Sequence, residues 1–404
     1  MKIVIAPDSF KESLSAMAVA DAIEAGFKQV LPDATYVKLP MADGGEGTVQ
    51  SLVDATQGRI ERVSVTGPLG ECVRAFFGVS GDGKTAFIEM SAASGLHLVP
   101  VAQRNPLTTT SYGTGELIKA ALNQGAKHII LGLGGSATND AGAGMLQALG
   151  ARFLDAQGRS VTWGGAALAS LTQMDLSQLD VRLADVRIQL ACDVDNPLCG
   201  VRGASAVFGP QKGATPAQVT QLDAALAHFA SVVVQQVGND IANISGAGAA
   251  GGMGGGLMLL PHAQLQSGVQ IVAEAVRLAE RVRDADLVII GEGRMDAQSI
   301  RGKTPIGVAA VAKQFDKPVI AIVGSLGDDY RCVYEHGVDA VFPIIRQAAA
   351  LPEVLQQVQS NLVSCAENVA KLLNLQYSRH FVGNTAAPRD EIAGQARNDL
   401  LADE

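Results

Sequence analysis

Short runs of Ile and Val at both ends of the chain lead through polar or glycine-rich turns into stretches with helical periodicity. The periodicity predicts strands at 2–6, 35–39, 287–290, 318–323 and 340–343. Helices are predicted to follow them at 15–30, 49–56, 305–315 and 352–373. Because strands that alternate with helices pair in parallel, both ends of the chain predict one α/β layer structure.

The middle of the chain has a different pattern. Residues 60–90 form short alternating runs between glycine turns, which predicts antiparallel hairpins, and further strands are predicted at 128–131 and 187–192. We therefore expect an α/β protein with a doubly wound, Rossmann-like parallel-sheet domain and a second α/β domain inserted into it. The predicted boundaries are 1–60 with 285–376 for the Rossmann-like domain, 61–284 for the insertion, and 377–404 for a loosely ordered tail without chemistry.

Composition and charge exclude several classes of protein. A chain of 404 residues with 48% hydrophobic and 18% charged residues is long and apolar enough for two or three folded domains. Its net charge of −9 argues against nucleic acid or an anionic membrane surface as a partner. The five cysteines have no paired CxxC spacing, so neither a disulfide framework nor a zinc site is indicated.

The chain has no segment that the sequence marks for export or for spanning a membrane. Its N-terminal apolar run is too short for a signal peptide, and no window approaches the 18 or so uninterrupted apolar residues of a membrane-spanning helix. We therefore expect a cytoplasmic protein with no membrane partner.

Polar side chains follow four of the predicted strands, where ligands collect in open α/β sheets. These residues are Asp8, Ser9 and Lys11 after the first strand, Asp43 and Glu46 after the second, Ser136, Asn139 and Asp140 after 128–131, and Glu292, Arg294 and Asp296 after 287–290. Carboxylates beside glycines suit Mg²⁺ with a phosphorylated ligand. Taken alone, the turn at 43–47 is better explained by helix capping, the Asp8 loop has the same alternative, and Lys11 can be a solvated lysine. The recurrence at four strand ends favours a site.

Two further loops have alternative interpretations. The segment 132–137 fits GxGxxA after a strand and Asp155 lies 18 residues beyond Ala137, which formally matches a dinucleotide fingerprint. Asp140 would repel a bare pyrophosphate there, so a metal-bridged phosphate fits better. Asp193 and Asn196 follow the strand at 187–192, although an Asx turn before Pro197 explains them almost as well.

Six segments together resemble the type 1 glycerate kinases, in the order in which that family carries them. They are APDSFK at 6–11, ADGGEGT at 42–48, GGSATND at 134–140, CDVDNPL at 192–198, GPQKGA at 209–214 and GEGRMDAQ with a following GK at 291–303. The resemblance spans residues 1 to about 376. It implies MgATP-dependent phosphorylation of D-glycerate, usually at the 2-hydroxyl, with a second domain inserted into a Rossmann-like one. The alternatives are an NAD-dependent oxidoreductase of a small hydroxy acid and a non-catalytic nucleotide-binding protein.

Chemistry assigns roles to the candidate residues. For catalysis we expect Asp296 as the general base, Lys11 as the neutralising cation, and Asp8 beside them. The expected substrate-binding residues are Arg294, which would hold the glycerate carboxylate, and Asp43, Glu46 and Ser9. The expected nucleotide-binding residues are Gly134, Gly135, Ser136, Asn139, Asp193, Asn196, Lys212 and Lys303, with Asp140 acting through Mg²⁺. The expected partners are D-glycerate and ATP, and the sequence is compatible with a homo-oligomer.

Overall fold

The computed structural model describes residues 1–300 and 302–383, with the side chains of 1–300 and 302–375. Its strands are β1 Lys2–Ile5, β2 Thr35–Lys38, β3 Arg59–Thr66, β4 Cys72–Val79, β5 Thr85–Glu89, β6 His128–Gly132, β7 Arg152–Leu154, β8 Gln173–Asp175, β9 Arg187–Ala191, β10 Ala263–Gln266, β11 Leu287–Ile290, β12 Arg294–Met295, β13 Val319–Val323, β14 Ser325–Leu326 and β15 Ala340–Pro343.

The α-helices are α1 Ala16–Lys28, α2 Thr48–Ala55, α3 Ser91–Ser94, α4 Tyr112–Asn123, α5 Ala143–Ala148, α6 Ala204–Phe208, α7 Pro216–Val237, α8 Ala249–Leu257, α9 Gly268–Ala275, α10 Leu278–Val282, α11 Thr304–Lys313, α12 Leu351–Gln356 and α13 Val358–Gly383. Helix α13 extends seven residues into the segment predicted as a tail, and the rest of that segment, 384–404, lies outside the described residues. None of the helices in the described residues is long and apolar enough to cross a membrane.

The first sheet joins the two ends of the chain. Its five strands lie in the order β15-β13-β11-β1-β2, and every neighbouring pair is parallel. β11 and β13 are buried along their whole length because helices cover both faces of the sheet, which is why they are continuous runs of Leu, Val, Ile and Ala. The predicted parallel α/β sheet is confirmed.

The second sheet is mixed and comes from the middle of the chain. Its order is β10-β9-β6-β5-β4-β3, in which β10, β9, β6 and β5 are parallel while β4 and β3 run antiparallel. The hairpins predicted from residues 60–90 are therefore present. The strands of each sheet follow the predicted segments, except that β3 begins at Arg59 and that β10 was not predicted. The division into two domains itself stays a prediction.

One apolar cluster connects the two sheets. Phe87 of β5, Ile130 of β6 and Ala191 of β9 belong to the same buried cluster as Val4 of β1 and Val288 of β11. Helices α9 and α10, which the sequence assigned to the insertion, also contribute to this cluster and contact α11. The carboxyl ends of strands from both sheets consequently meet across one cleft.

Candidate active site

Asp8 lies at the end of β1 and is held by groups from both ends of the chain. Its Oδ2 accepts a 2.8 Å hydrogen bond from Thr304 Oγ1, and its Oδ1 accepts from the Ser9 amide at 2.6 Å. Burial and the nearby Asp43 carboxylate raise the pKa of Asp8 to about 6, although Thr304, Ser9 and the charge of Lys11 act in the opposite direction. A carboxyl group with that pKa can exchange a proton near neutral pH.

The carboxylate of Asp43 interacts electrostatically with the carboxyl groups of both Asp8 and Asp193. Its Oδ1 accepts from the Gly45 amide at 3.0 Å, which fixes the turn that follows β2. Asp193 follows β9, and its Oδ1 accepts from the Gly268 amide at 3.0 Å. Desolvation raises the pKa of Asp193, and the Asp43 charge adds to that rise. Three predicted residues from three strand ends are therefore close enough to interact.

Glu292 is a buried carboxyl group directly after β11. Its Oε1 accepts from Ser299 Oγ at 2.5 Å. The pKa of Glu292 is raised to about 7, mainly by burial. The carboxylates of Asp8 and Asp296 also raise it, whereas the Ser299 hydrogen bond and the charge of Lys303 lower it. Glu292 and Asp8 thus form a pair of neighbouring carboxyl groups that both titrate well above their ordinary range.

Asp296 and Arg294 are paired with each other. Arg294 Nε lies 3.4 Å from Asp296 Oδ2, and the Arg294 side chain is largely exposed. Asp296 Oδ1 accepts from the Gln298 amide at 2.8 Å. Asp296 is therefore ion-paired with a guanidinium, whereas Asp8 accepts only from a neutral hydroxyl and an amide, which makes Asp8 the more available base.

The loop after β6 directs its carbonyl oxygens into the protein. Gly135 O accepts from the Leu96 amide at 2.8 Å, and Ala137 O accepts from Thr109 Oγ1 at 2.9 Å. Gly134 and Gly135 are exposed, and within the part of the chain that the structure describes their amides have no protein acceptor. Free amides on an otherwise anchored glycine turn can bind phosphate oxygens.

Lys212 lies behind this loop and is 2% exposed. Its Nζ donates to Ser136 Oγ and to Thr138 O, both at 2.7 Å. Burial lowers the pKa of Lys212 to about 7, whereas the Asp140 carboxylate favours its charged form. The sequence predicts nucleotide contact for Lys212; the structure places its side chain behind the loop, where it holds Ser136 and Thr138.

Asp140 does not have the surroundings of a metal ligand. It is 1% exposed, and its oxygens accept from Ser111 N at 2.9 Å, Ser111 Oγ at 2.8 Å, Gly142 N at 3.2 Å and Gly144 N at 3.3 Å. Asn139 is equally enclosed and donates to Ser205 Oγ at 2.9 Å. Both residues lie beneath the loop, so the geometry does not support the predicted metal role of Asp140 or nucleotide contact by Asn139.

The remaining predicted residues are placed at the edges of the cleft. Lys11 and Glu46 are exposed, Ser9 is half-buried, and Lys303 precedes α11 next to Glu292. Asn196 Nδ2 donates to Arg202 O at 2.8 Å, so its amide shapes its own loop.

Two adjoining pockets open between the loops. The larger, of about 560 Å³, is lined by Gly45, Glu46, Gly47, Gln50, Phe76, Glu89, Ser91, Ala92, His97, Gly134 and Gly135. The smaller, of about 210 Å³, is lined by Asp43, Gly44, Gly45, Leu133, Gly134, Ala191, Cys192, Asp193, Val194 and Ala249. Gly45 and Gly134 line both pockets, so the turn after β2 faces the loop after β6 across one continuous cleft.

Sequence reasoning assigned no role to Glu89, which lies at the end of β5. Its Oε1 accepts from the Val49 amide at 2.9 Å at the start of α2. Like the other candidates, Glu89 is an acidic residue at a strand end. It was not predicted because residues 60–90 have the pattern of antiparallel hairpins, whose strand ends are not expected to form the ligand site of a parallel sheet.

The dinucleotide fingerprint is not matched by the structure. α5 begins at Ala143, so Ala137 precedes the helix instead of lying inside it. Asp155 pairs with Arg159 at 2.9 Å in an exposed turn after β7. Neither feature of the NAD-binding motif is therefore present at this loop.

We tested the cleft for its fit to a divalent cation. Among the described residues, no group of three or more His, Cys, Asp or Glu side chains is arranged to hold a metal ion. Asp43 and Asp193 nevertheless line the same small pocket. One or two carboxylates together with substrate phosphates are the usual protein environment of Mg²⁺ with a nucleotide, so the residues present fit a nucleotide-bound ion.

The chain is similar to known proteins along most of its length. The model of the Glycerate kinase family matches residues 3–374. A glycerate kinase of Haemophilus influenzae is 65% identical over 377 residues, which covers 93% of this chain and 100% of that protein. A glycerate 2-kinase of Escherichia coli is 56% identical over 373 residues, covering 92% and 98% of the two chains.

A solved structure shows the same fold. The crystal structure of a Salmonella typhimurium protein, whose description suggests glycerate kinase 2 as its identity, superposes with a TM-score of 0.87. It is 56% identical, and the match covers 94% of this chain and 99% of that one. The chain described here therefore belongs to the glycerate kinase family.

Proposed function

We propose that this protein transfers the terminal phosphoryl group of MgATP to the 2-hydroxyl of D-glycerate, giving 2-phosphoglycerate and ADP. One observation carries the proposal: Asp43 and Asp193 line one pocket together with Gly134, whose amide is free, and Asp43 interacts with the carboxyl group of Asp8. Phosphoryl transfer depends on positioning and charge neutralisation, and this cleft offers groups for both. Membership of the glycerate kinase family supports the choice of substrate.

Asp8 is our candidate for the general base. The proton of the attacking hydroxyl would pass to the Asp8 carboxylate as the oxygen bonds to phosphorus and the bond to ADP breaks. The bonds from Thr304 and Ser9 hold the carboxylate in place, and its pKa of about 6 leaves it ionised but basic at neutral pH. Asp296 remains the alternative base that the sequence predicts, although the Arg294 guanidinium already pairs with one of its oxygens.

The anionic groups of the substrates need local cations in a protein whose net charge is −9. Lys11 and Lys303 act electrostatically on Asp8 and Glu292, which places both near the carboxyl pair. We propose that they neutralise charge on the transferring phosphoryl group and that the exposed Arg294 binds the glycerate carboxylate, releasing Asp296 as it does so.

A nucleotide-bound Mg²⁺ would be held by Asp43 and Asp193, and when bound it would offset the negative charge of the phosphates. The amides of Gly134 and Gly135 would bind the phosphate oxygens on the opposite wall of the cleft. The chain itself then supplies the base, the cations and the walls that exclude water.

A turnover assay tests the proposal and also distinguishes it from the two alternatives, an oxidoreductase and a non-catalytic binding protein. The protein is incubated with D-glycerate, ATP and Mg²⁺ while ADP release is followed, and NAD reduction with glycerate is measured in parallel. ADP release that requires glycerate is expected. NAD reduction without ADP release would favour an oxidoreductase, and nucleotide binding without either reaction would indicate a non-catalytic binding protein.

A further inference from the structure

Six polar or aromatic side chains of the larger pocket have no part in the proposed phosphoryl transfer. They are Glu46, Gln50, Phe76, Glu89, Ser91 and His97. This pocket adjoins the acidic one through Gly45 and Gly134, so whatever fills it lies next to the reacting groups. Its volume of about 560 Å³ lies within the range of small-molecule sites and is far larger than a three-carbon acid requires.

The position of Phe76 on strand β4 explains why its ring is exposed to the larger pocket. Alternate residues of a strand share a face, so Phe76 and Gly78 point the same way. A side chain at Gly78 would lie 2.5 Å from Val53 Cγ2, which shows that α2 packs directly on this face of the strand. Phe76 lies beyond that contact, beside Gln50 of α2, and is 37% exposed.

The acidic side chains of this pocket determine which groups of a ligand can bind in it. Glu46 and Glu89 line it, whereas none of the described residues that line it is a Lys or an Arg. A phosphate chain without a bound cation, or the glycerate carboxylate, would be repelled by these two carboxyl groups, whereas Asp43 and Asp193 of the adjoining pocket are the pair proposed to hold Mg²⁺. Uncharged groups are accepted, and the exposed Glu46 can accept hydrogen bonds from hydroxyl groups.

We propose that this pocket is the subsite for the purine base and ribose of the nucleotide, with Phe76 as the stacking surface. The phosphates would leave it across the amides of Gly134 and Gly135 toward Asp43 and Asp193. His97 lies on the same wall as Ser91 and closes the side of the pocket. This inference rests on the proposed transfer from ATP and adds to it the orientation of the nucleotide.

The test compares ATP with inorganic tripolyphosphate, which has the same phosphate chain but no base or ribose. Affinities of both for the wild type and for Phe76→Ala are measured by calorimetry in the presence of Mg²⁺. We expect Phe76→Ala to weaken ATP binding by about tenfold, the lower end of what loss of one base–aromatic stack produces. Tripolyphosphate binding should be unchanged, because its expected contacts are the amides of Gly134 and Gly135 and the acidic pocket, not Phe76.

Two controls accompany the measurement. Phe76→Trp keeps an aromatic surface and should retain ATP affinity. Trp163→Ala removes an aromatic ring of similar exposure, 42%, from a separate pocket beside Tyr112, and should change neither affinity. Thermal unfolding establishes that each variant is folded.

Unchanged ATP affinity in Phe76→Ala would overturn the subsite, as would an equal loss of ATP and tripolyphosphate binding. Turnover of the wild type with glycerate keeps the two proposals apart. If the wild type phosphorylates glycerate and Phe76→Ala binds ATP normally, only the subsite is wrong. If the wild type binds ATP through Phe76 but does not phosphorylate glycerate, the subsite stands and the proposed function fails.

Discussion

Thr304, the first residue of α11, donates a 2.8 Å hydrogen bond to Oδ2 of Asp8, which lies 296 positions earlier in the chain. The bond connects the loop after β1 to the helix that comes after β11. β1 and β11 are neighbouring parallel strands of the first sheet. The bond therefore fixes the candidate base only when both ends of the chain have formed the first sheet.

Asp8→Asn tests the assignment of the base. The amide keeps the size of the side chain but cannot take up the proton, so kcat should fall by roughly 10²-fold or more. Asp296→Asn is the matched variant, and the structure predicts a smaller effect for it. Steady-state kinetics of both folded variants decide between the carboxylates, and a larger loss in Asp296→Asn would return the role to Asp296.

Glu292→Gln tests whether the buried carboxyl group opposes folding. The pKa of Glu292 is raised from 4.5 to about 7, so the folded protein holds this proton more tightly than the unfolded chain. The contribution of Glu292 to the free energy of unfolding must then fall as the pH rises from about 4.5 to about 7. Above pH 7 this contribution remains at its minimum.

The variant cannot ionise, so it should lose less stability than the wild type between pH 5 and pH 8. Urea unfolding of both proteins at these two pH values measures the difference. Equal pH dependence in the two proteins would mean that Glu292 does not carry the penalty.

Lys212→Met and Ser136→Ala test the support of the glycine loop. The charged lysine can only donate, so Ser136 Oγ must accept its bond and can direct its own hydrogen toward a phosphate. Each variant should raise the KM for ATP by about tenfold, the cost of one charge-assisted or ligand hydrogen bond, and leave the KM for glycerate unchanged.

The double variant distinguishes one shared effect from two independent ones. If both residues act on the same phosphate contact, its KM for ATP should be no higher than that of the worse single variant. Additive effects, or a rise in the glycerate KM instead, would contradict the arrangement. Ser136→Ala alone keeps the test decisive if Lys212→Met does not fold.

Lys11→Met separates two ways in which an exposed cation can act. If Lys11 stabilises charge that develops during transfer, kcat and kcat/KM should fall together. If it binds ground-state glycerate, only the glycerate KM should rise. Kinetics with ATP and glycerate varied separately measure this, and wild-type values for both substrates would remove Lys11 from the site.

The sequence predicted the sheets well because their strands are local signals. β11 and β13 are buried on both faces and read as unbroken apolar runs, and the helix predicted at 305–315 lies close to the observed α11. The sequence also predicted that Asp8, Asp43 and Asp193 lie in the loops that follow β1, β2 and β9, because a polar loop after an apolar strand is a local signal.

Burial by distant residues could not be predicted in the same way. An aspartate after a glycine turn looks alike whether it binds a metal or caps a loop, and Asp140 is the latter because Ser111, 29 positions earlier, donates to it. Lys212 lies in a polar motif that suggests exposure, yet tertiary packing encloses it behind Ser136. The exposed ring of Phe76 likewise depends on where α2 begins relative to β4.

The central claim is the transfer of a phosphoryl group to the 2-hydroxyl of glycerate, and the ³¹P NMR spectrum of the product tests it most directly. After incubation with D-glycerate, ATP and Mg²⁺, a phosphate on C2 couples to a single proton and gives a doublet. A phosphate on C3 couples to the two protons of a methylene group and gives a triplet. We predict a new doublet that grows with ADP; a triplet would contradict the position of transfer, and the absence of any new phosphate ester would contradict the activity itself.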